Sequence, residues 1–174
     1  MPKLSAGLIL YREIESEIQV LIGHPGGPFW AKKDDGAWSI IKGEYEEDED
    51  PWKTALREFE EEVGIPAPEG TPIELGEIRQ PSGKRITAFA SRGDLDVTRA
   101  RSNEFEMEWP RGSGKMQTFP EIDKVEWFTV AEARRKLLKG QLPFLDVLMN
   151  QSALNDFGEG DSKDEDGEMQ QSLF

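Results

Sequence analysis

The chain alternates between short apolar runs and polar segments, a pattern typical of a sheet accompanied by a few helices. Apolar or alternating runs of four to eight residues indicate strands, whereas a 3.6-residue apolar period indicates a helix. We predict strands at 4–11, 18–22, 38–41, 74–79, 84–91, 103–109 and 124–128. A Gly- and Pro-rich loop at 23–37 separates the second strand from the third, and its length suggests a function beyond connection.

Helix-capping residues predict three helices between and after these strands. The first covers 51–63, because Asp50 is a suitable N-cap, Pro51 fits the first helical position and Gly64 ends a helix readily. The second begins after Thr129, with Glu132 completing a capping box, and is expected to end at Gly140. A third, short helix is predicted at 143–149. Strands and helices together indicate an α/β domain over residues 1–150.

Composition narrows the functional classes. Residues 151–174 are acidic and poor in large apolar groups, so we predict a disordered tail there. The formal charge of −14 argues against tight binding to a nucleic-acid backbone or an anionic membrane. With no cysteine, disulfides, thiolate zinc sites and cysteine nucleophiles are excluded, and the single histidine, His24, is expected to be structural. No signal peptide or membrane span is apparent, and we expect a cytoplasmic protein.

The first predicted helix carries an acidic stripe beside its apolar one. Glu58, Glu61 and Glu62 stand at i, i+3 and i+4, so their carboxylates share one side of the helix. Three like charges repel one another unless a cation lies among them, and carboxylate oxygens suit a hard divalent ion such as Mg²⁺. The alternative is an ordinary solvated acidic face. The capped helix and Arg57, which can orient a carboxylate, favour the metal site.

The spacing around this helix resembles the signature of the Nudix hydrolase family. Gly43 is followed after five residues by Glu49, and after seven more by the run REFEEEVGI at 57–65. The resemblance extends over about 4–138 and implies a Nudix fold, with a mixed β-sheet sandwiched between helices and this motif as a loop–helix–loop. It also implies Mg²⁺-dependent cleavage of a diphosphate linkage, with Mn²⁺ as a substitute metal.

The same resemblance implies residue roles. The Gly43 carbonyl and the carboxylates of Glu58, Glu61 and Glu62 are expected to hold metal, with Glu58 or a distant acid acting as the base. Arg57 is expected to orient a carboxylate, and Glu49 to be structural. Family members often place the distant acid six residues before a strand Trp, a position that Glu121 occupies relative to Trp127. Three strand residues compete with it for this role: Glu104, Glu106 and Glu108.

Substrate-binding residues are predicted less directly. Lys42 precedes the motif glycine and either contacts a phosphate or is an ordinary surface lysine. Phe29, Trp30 and Tyr45 are aromatic candidates for base recognition, each with packing as the alternative, whereas Trp38 is expected in the core. We predict hydrolysis of a nucleoside triphosphate or dinucleoside polyphosphate. ADP-ribose, an RNA 5′ end and a non-catalytic nucleotide sensor are the alternatives, and a homodimer is compatible with the family.

Overall fold

The fold is built on one mixed sheet, and the computed structural model describes residues 3–151. The sheet has the strand order β4-β5-β1-β2-β8, with β3 paired to the first half of β1. Strands β1 and β5 are parallel, whereas the other neighbours are antiparallel. A separate two-stranded hairpin is formed by β6 and β7. The strands are β1 Leu4–Ile14, β2 Glu17–Pro25, β3 Ile41–Tyr45, β4 Ile73–Arg79, β5 Arg85–Arg92, β6 Glu104–Glu108, β7 Met116–Pro120 and β8 Ile122–Thr129.

Helices cover both faces of the large sheet. Helix α1 (Pro51–Val63) packs on one face, where Ala55 and Phe59 meet the β1 residues Ala6 and Leu8. Helix α2 (Val130–Lys136) and helix α3, described over 142–151, cover the other. Short 3₁₀ turns at Val97–Arg99 and Lys139–Gln141 complete the helical segments. The predicted sheet between helices is confirmed.

Alternation along β1 assigns its side chains to the two faces. Ala6, Leu8 and Leu10 belong to the cluster beneath α1, whereas Ile9 and Tyr11 belong to the cluster beneath α2 and α3. Because successive side chains of a strand point to opposite faces, Ser5 lies on the face away from α1. Both clusters are fully apolar at their centres, and each fully buried Leu, Ile or Phe stabilises the fold by about 1.5–3 kcal/mol relative to exposure.

Several predicted boundaries are wrong. The third strand begins at Ile41 and runs to Tyr45, whereas Trp38 and Ser39 form only isolated bridges. The predicted loop at 23–37 starts later, because Gly23 to Pro25 extend β2 along β8. Strand β7 was not predicted, since its sequence MQTFP is short and largely exposed and carries no apolar alternation. The strand predicted at 103–109 is present as β6.

Helix α2 ends four residues before the predicted stop at Gly140. Leu137 has an extended backbone with ψ 150°, and it forms a parallel bridge with Trp38. The Leu138 N–H donates to the Trp38 carbonyl at 2.9 Å, so the chain leaves the helix to satisfy this backbone and to bury Leu137. The helix predicted at 143–149 is present within α3.

The predicted tail at 151–174 lies outside the described residues apart from Gln151. Within residues 3–151, no helix combines the length and the apolar character that a membrane span needs.

Candidate active site

Helix α1 is held in place by well-formed caps at both ends. The Asp50 carboxylate accepts from the Trp52 N–H at 3.1 Å, and Pro51 occupies the first turn, where no N–H is needed. Gly64 has φ 79°, in the left-handed region, and its N–H donates to Glu60 at 2.8 Å. These caps fix the rotation of the helix, and therefore the direction of its acidic stripe.

The segment 101–103 docks on the C-terminal end of α1. The Arg101 N–H donates to the Val63 carbonyl at 2.7 Å, and the Asn103 N–H donates to the Glu61 carbonyl at 3.0 Å. A side chain at Gly64 would collide with the Arg101 backbone, so this close approach depends on the glycine. Two carbonyls that the helix end would otherwise leave unpaired are satisfied in this way.

The docked segment in turn positions Glu121. The Glu121 N–H donates to the Asn103 carbonyl at 2.9 Å, and the neighbouring Ile122 N–H donates to the Ser102 hydroxyl at 3.0 Å. A continuous series of hydrogen bonds therefore connects α1 to Glu121 across sixty residues of sequence. As a result, the Glu121 charge acts on the carboxyl groups of both Glu58 and Glu62.

The four carboxyl groups of Glu58, Glu61, Glu62 and Glu121 form one acidic cluster. Burial, followed by the hydrogen bond and charge of Glu61, raises the pKa of Glu58 to about 7. Burial, followed by the charges of Glu58 and Glu121, raises the pKa of Glu62 to about 8. Both shifts have the cause expected of carboxylates that are close together and partly removed from water.

The donor set of this cluster fits a hard divalent cation. Oxygen ligands of this charge suit Mg²⁺ or Mn²⁺, and a cation would relieve the repulsion that raises both pKa values. Within residues 3–151, no group of three or more His, Cys, Asp or Glu side chains is arranged so that it could hold a metal ion. Side-chain rotations of the glutamates would therefore accompany metal binding.

Gly43 leaves the space that Glu58 occupies. A Cβ placed on Gly43 would overlap the Glu58 carboxyl group, so any other residue there would displace this side chain. Strand β3 carries Gly43 directly beside α1, which it contacts along its length. The structure thus brings together the motif glycine and the motif carboxylate.

Arg57 joins the acidic cluster to the preceding loop. Its Nη1 lies 3.2 Å from Glu49 Oε2, and its Nε lies 3.9 Å from Glu61 Oε1. Glu49 also accepts from the Glu46 N–H at 2.9 Å, and this bond, followed by Arg57, lowers the pKa of Glu49. Arg57 therefore contacts both Glu49 and Glu61, and its orienting role stays a prediction.

A model of the Nudix domain matches residues 1–148. The chain belongs to the Nudix family. Membership places it among the hydrolases that act on pyrophosphate bonds. No curated protein matches the sequence.

Solved Nudix structures share this fold at low sequence identity. The Nudix domain of NrtR from Shewanella oneidensis, in complex with ADP-ribose, has a TM-score of 0.59 and 16% identity, covering 87% of this chain and 88% of that one. A binary complex of the C. elegans Ap4A hydrolase has a TM-score of 0.58 and 18% identity, covering 86% and 98%. A mutT/nudix family protein from Listeria innocua has a TM-score of 0.60 and 17% identity, covering 90% and 98%. At these identities the likeness concerns the fold alone.

The aromatic candidates of this Nudix domain lie in three different settings. Phe29 and Trp30 form a T-shaped pair with ring centres 5.2 Å apart, and Phe29 is 55% exposed. Lys33 Nζ lies 3.9 Å from the Phe29 ring centre, which makes a cation–π contact. Tyr45 was predicted near the site loops, but it lies in β3 and packs, half-buried, against the core beneath α1. Trp38 is buried in the core as predicted.

The loop that holds Phe29 and Trp30 starts beside Glu121. The Gly26 N–H donates to the Glu121 carbonyl at 2.9 Å, and a side chain on Gly26 would collide with the Pro120 carbonyl. His24 fixes the far end of this loop, with Nδ1 2.7 Å from Asp123 and Nε2 2.5 Å from the Lys33 carbonyl. The expectation that His24 is structural agrees with these contacts.

The three competitors of Glu121 lie on the β6–β7 hairpin. Glu104, Glu106 and Glu108 are all exposed along one side of β6. Glu108 accepts from the N–H groups of Gly112 and Gly114, at 2.9 and 3.0 Å, and so holds the hairpin turn together. Glu121 is among the charges that raise the pKa values of both Glu58 and Glu62.

Lys42 lies on the face of the sheet opposite α1 and close to Lys84. Burial, followed by the charge of Lys84, lowers the pKa of Lys42 to about 8, while Glu62 acts in the opposite direction. Lys84 was predicted as the first residue of the strand at 84–91, and no role beyond that was assigned to it from the sequence. The docking segment 101–103 was also missed, because its backbone contacts leave no signal in side-chain identity.

Proposed function

We propose that this protein is a Mg²⁺-dependent pyrophosphohydrolase that cleaves a phosphoanhydride bond of a nucleoside triphosphate or dinucleoside polyphosphate, with Mn²⁺ as a substitute metal. The observation that carries the proposal is the acidic cluster formed by Glu58, Glu61, Glu62 and Glu121 beside Gly43. Its raised pKa values mark carboxyl groups that are unfavourably placed unless a cation neutralises them. The resemblance of the Ap4A hydrolase fold is consistent with such a substrate.

In this proposal Glu58, Glu61 and Glu62 hold the metal, together with the Gly43 carbonyl. A bound divalent cation supplies charge neutralisation for the phosphate oxygens and lowers the pKa of a water molecule. Arg57 contacts Glu61 on one side and Glu49 on the other, and so keeps the Glu61 carboxylate in position.

The proton of the attacking water needs an acceptor, and Glu58 and Glu121 are the two candidates. Glu121 is placed beside the cluster by backbone hydrogen bonds rather than by the helix, so its carboxylate can act independently of the other three. General-base catalysis of this kind contributes typically about 10²–10⁴-fold. Loss of Glu121 alone is therefore expected to reduce kcat by about that factor without removing metal binding.

On the substrate side, we propose that Lys42 contacts a phosphate oxygen and that Trp30 contributes to base recognition. Trp30 lies in the loop that begins at Gly26, whose N–H donates to the Glu121 carbonyl, so we propose that its ring is available to a substrate base near the acidic cluster. Tyr45 is half-buried against the core beneath α1, so only part of its side chain is available to a substrate.

The test is a kinetic panel with nucleoside triphosphates, dinucleoside polyphosphates, ADP-ribose and a triphosphate-ended RNA, each with Mg²⁺ and with Mn²⁺. Glu61→Gln is compared with Glu60→Gln, which changes an exposed acid of the same helix outside the acidic cluster. We expect turnover of a triphosphate or polyphosphate that depends on the metal, is lost in Glu61→Gln and is retained in Glu60→Gln. Preferred turnover of ADP-ribose or of RNA ends would contradict the substrate assignment. Equal activity of the two variants would contradict the site.

A further inference from the structure

Glu121, the candidate base that lies outside α1, is held through its backbone. Its N–H donates to the Asn103 carbonyl at 2.9 Å, and its own carbonyl accepts from the Gly26 N–H at 2.9 Å. Both main-chain groups of Glu121 that can form hydrogen bonds are therefore occupied. The position of this backbone determines where the Glu121 carboxylate can reach.

The Ser102 hydroxyl extends this arrangement to the next residue, Ile122. Ser102 Oγ accepts from the Ile122 N–H at 3.0 Å and donates to the Asn103 carbonyl at 2.8 Å. Because the same carbonyl accepts from the Glu121 N–H, the hydrogen bonds close a ring through the peptide that joins Glu121 to Ile122. A hydroxyl can accept and donate at the same time, and the Ser102 hydroxyl does both.

The topology of the sheet explains why Ile122 needs a partner of this kind. Ile122 is the first residue of β8, and β8 is an edge strand of the large sheet. Backbone groups along the outer side of an edge strand have no neighbouring strand to bond with. The strand register also shifts between His24 and Pro25, opposite the start of β8, so regular pairing with β2 ends there. The Ser102 hydroxyl supplies a partner that the sheet does not provide.

The residues on either side of Ser102 are bonded to the last turn of α1. The Arg101 N–H donates to the Val63 carbonyl at 2.7 Å, and the Asn103 N–H donates to the Glu61 carbonyl at 3.0 Å. The Ser102 hydroxyl is thus fixed relative to the helix that carries the three motif glutamates. Through this hydroxyl, the position of the helix is passed on to the start of β8.

The ring of hydrogen bonds borders the acidic cluster. Glu62, Ser102 and Ile122 are among the residues that line one cavity of about 230 Å³. Ser102 is half-buried in the wall of this cavity, so a side chain larger by one methyl group has space beside it.

We propose that Ser102 is a positioning residue for Glu121, whose carboxylate it places beside the acidic cluster by fixing the backbone at 121–122. Without the hydroxyl, the Ile122 N–H loses its partner and the Asn103 carbonyl loses one of its two donors. The segment then shifts relative to α1, and a displacement of about 1 Å can lower a rate about 100-fold. This inference rests on the proposed function for the role of Glu121 as a base, and on the hydrogen bonds for its position.

Amide hydrogen exchange measured by NMR tests the position without any substrate. Ser102→Ala removes the hydroxyl, and Ser102→Thr retains it. The matched control is Ser113→Ala, which removes a hydroxyl that accepts from the Lys115 N–H at 3.2 Å in the hairpin turn. We expect the Ile122 amide to exchange at least tenfold faster in Ser102→Ala, and within about threefold of the unmodified protein in the other two. Equal exchange of Ile122 in the two alanine variants would overturn the proposal.

Steady-state kinetics separate positioning from a general loss of structure. We expect Ser102→Ala to lower kcat about tenfold to a hundredfold while KM changes less than threefold, because the base is displaced and the metal ligands stay in place. Ser102→Thr should keep kcat within about threefold. A loss that appears only in KM, or an equal loss in Ser102→Thr, would overturn the positioning role. Thermal unfolding of each variant confirms that it is folded.

A double-mutant cycle tests whether Ser102 acts through Glu121. In a Glu121→Gln background, the base is already absent, so adding Ser102→Ala should change kcat less than threefold. The same tenfold or larger loss in both backgrounds would overturn the link to Glu121. If the unmodified protein hydrolyses no substrate of the panel, the proposed function fails, whereas the exchange of the Ile122 amide still decides whether the hydroxyl fixes this backbone.

Discussion

Replacing Glu62 by glutamine is expected to make the metal-free protein more stable while it removes metal-dependent activity. Glu62 is partly buried beside Glu58 and Glu121, and its pKa is raised from the ordinary 4.5 to about 8. The folded protein therefore holds a proton on Glu62 that the unfolded chain releases. Glutamine is neutral at every pH and has nearly the same shape as the protonated acid, so it avoids the cost of ionisation.

The sign of the pH dependence follows from linkage. Between pH 4.5 and about 8 the folded state binds more protons than the unfolded state, so the free energy of unfolding falls as the pH rises through this window. The stability contributed by protonated Glu62 is complete below pH 4.5 and is lost by about pH 8. The full difference in pKa corresponds to at most about 5 kcal/mol, and we expect about 2 kcal/mol once partial solvent screening is included.

At the upper end of the pH range, the titration of Lys42 also changes the free energy of unfolding. Its pKa is lowered to about 8, so above that pH the folded state binds fewer protons than the unfolded state and stability rises again. Measurements between pH 5 and 7.5 avoid this opposite contribution. The pKa of Glu58 is raised to about 7, so Glu58 also lowers the free energy of unfolding as the pH rises. Glu58 is present in both the unmodified protein and Glu62→Gln, so the difference between these two proteins reports the contribution of Glu62.

The assay is urea unfolding in EDTA at pH 5 and at pH 7.5, with Glu60→Gln as the control. We expect the unmodified protein and Glu60→Gln to lose stability over this range, and Glu62→Gln to lose about 1.5 kcal/mol less, because pH 5–7.5 covers most but not all of the window between the two pKa values. Saturating Mg²⁺ should remove most of the stability difference that the unmodified protein shows between pH 5 and pH 7.5. A constant stability difference between Glu62→Gln and the unmodified protein at the two pH values would refute the reasoning.

Three further predictions follow from the same contacts. Gly43→Ala should reduce kcat about 100-fold through displacement of Glu58, yet cost only about 1 kcal/mol of unfolding free energy, as measured by kinetics and urea unfolding. Ser5→Ala should raise the unfolding free energy by about 1 kcal/mol, because it removes a buried hydroxyl that lacks a partner. His24→Ala should lower it by about 2–3 kcal/mol, because two hydrogen bonds and an edge contact with Trp38 are lost; a loss below about 0.5 kcal/mol would contradict this.

Features fixed by local chemistry could be predicted from the sequence. Helix α1 has the predicted bounds because Asp50, Pro51 and Gly64 determine its ends without help from the rest of the fold. The capping box of Thr129 and Glu132 likewise gives the start of α2. The proximity of Gly43 and Glu58 followed from the family spacing, and the contact itself is now visible.

Features set by tertiary contacts could not be predicted. Helix α2 ends early because Leu137 pairs with Trp38, a contact between residues about one hundred positions apart. Tyr45 seemed available to a substrate, but its position in β3 turns it towards the core. Lys84 is predicted at the start of a strand, and its effect on the pKa of Lys42 depends on the sheet, which places β5 and β3 on either side of β1.

The most direct test of the central claim is hydrolysis in ¹⁸O-labelled water with Mg²⁺, followed by mass spectrometry of both products. A nucleoside triphosphate and a dinucleoside tetraphosphate serve as substrates, with Glu61→Gln and Glu60→Gln run in parallel. The account predicts that one ¹⁸O atom enters a single phosphate product of a phosphoanhydride cleavage, and that only Glu61→Gln abolishes it. Substrate binding without ¹⁸O incorporation, or label that persists in Glu61→Gln, would contradict it.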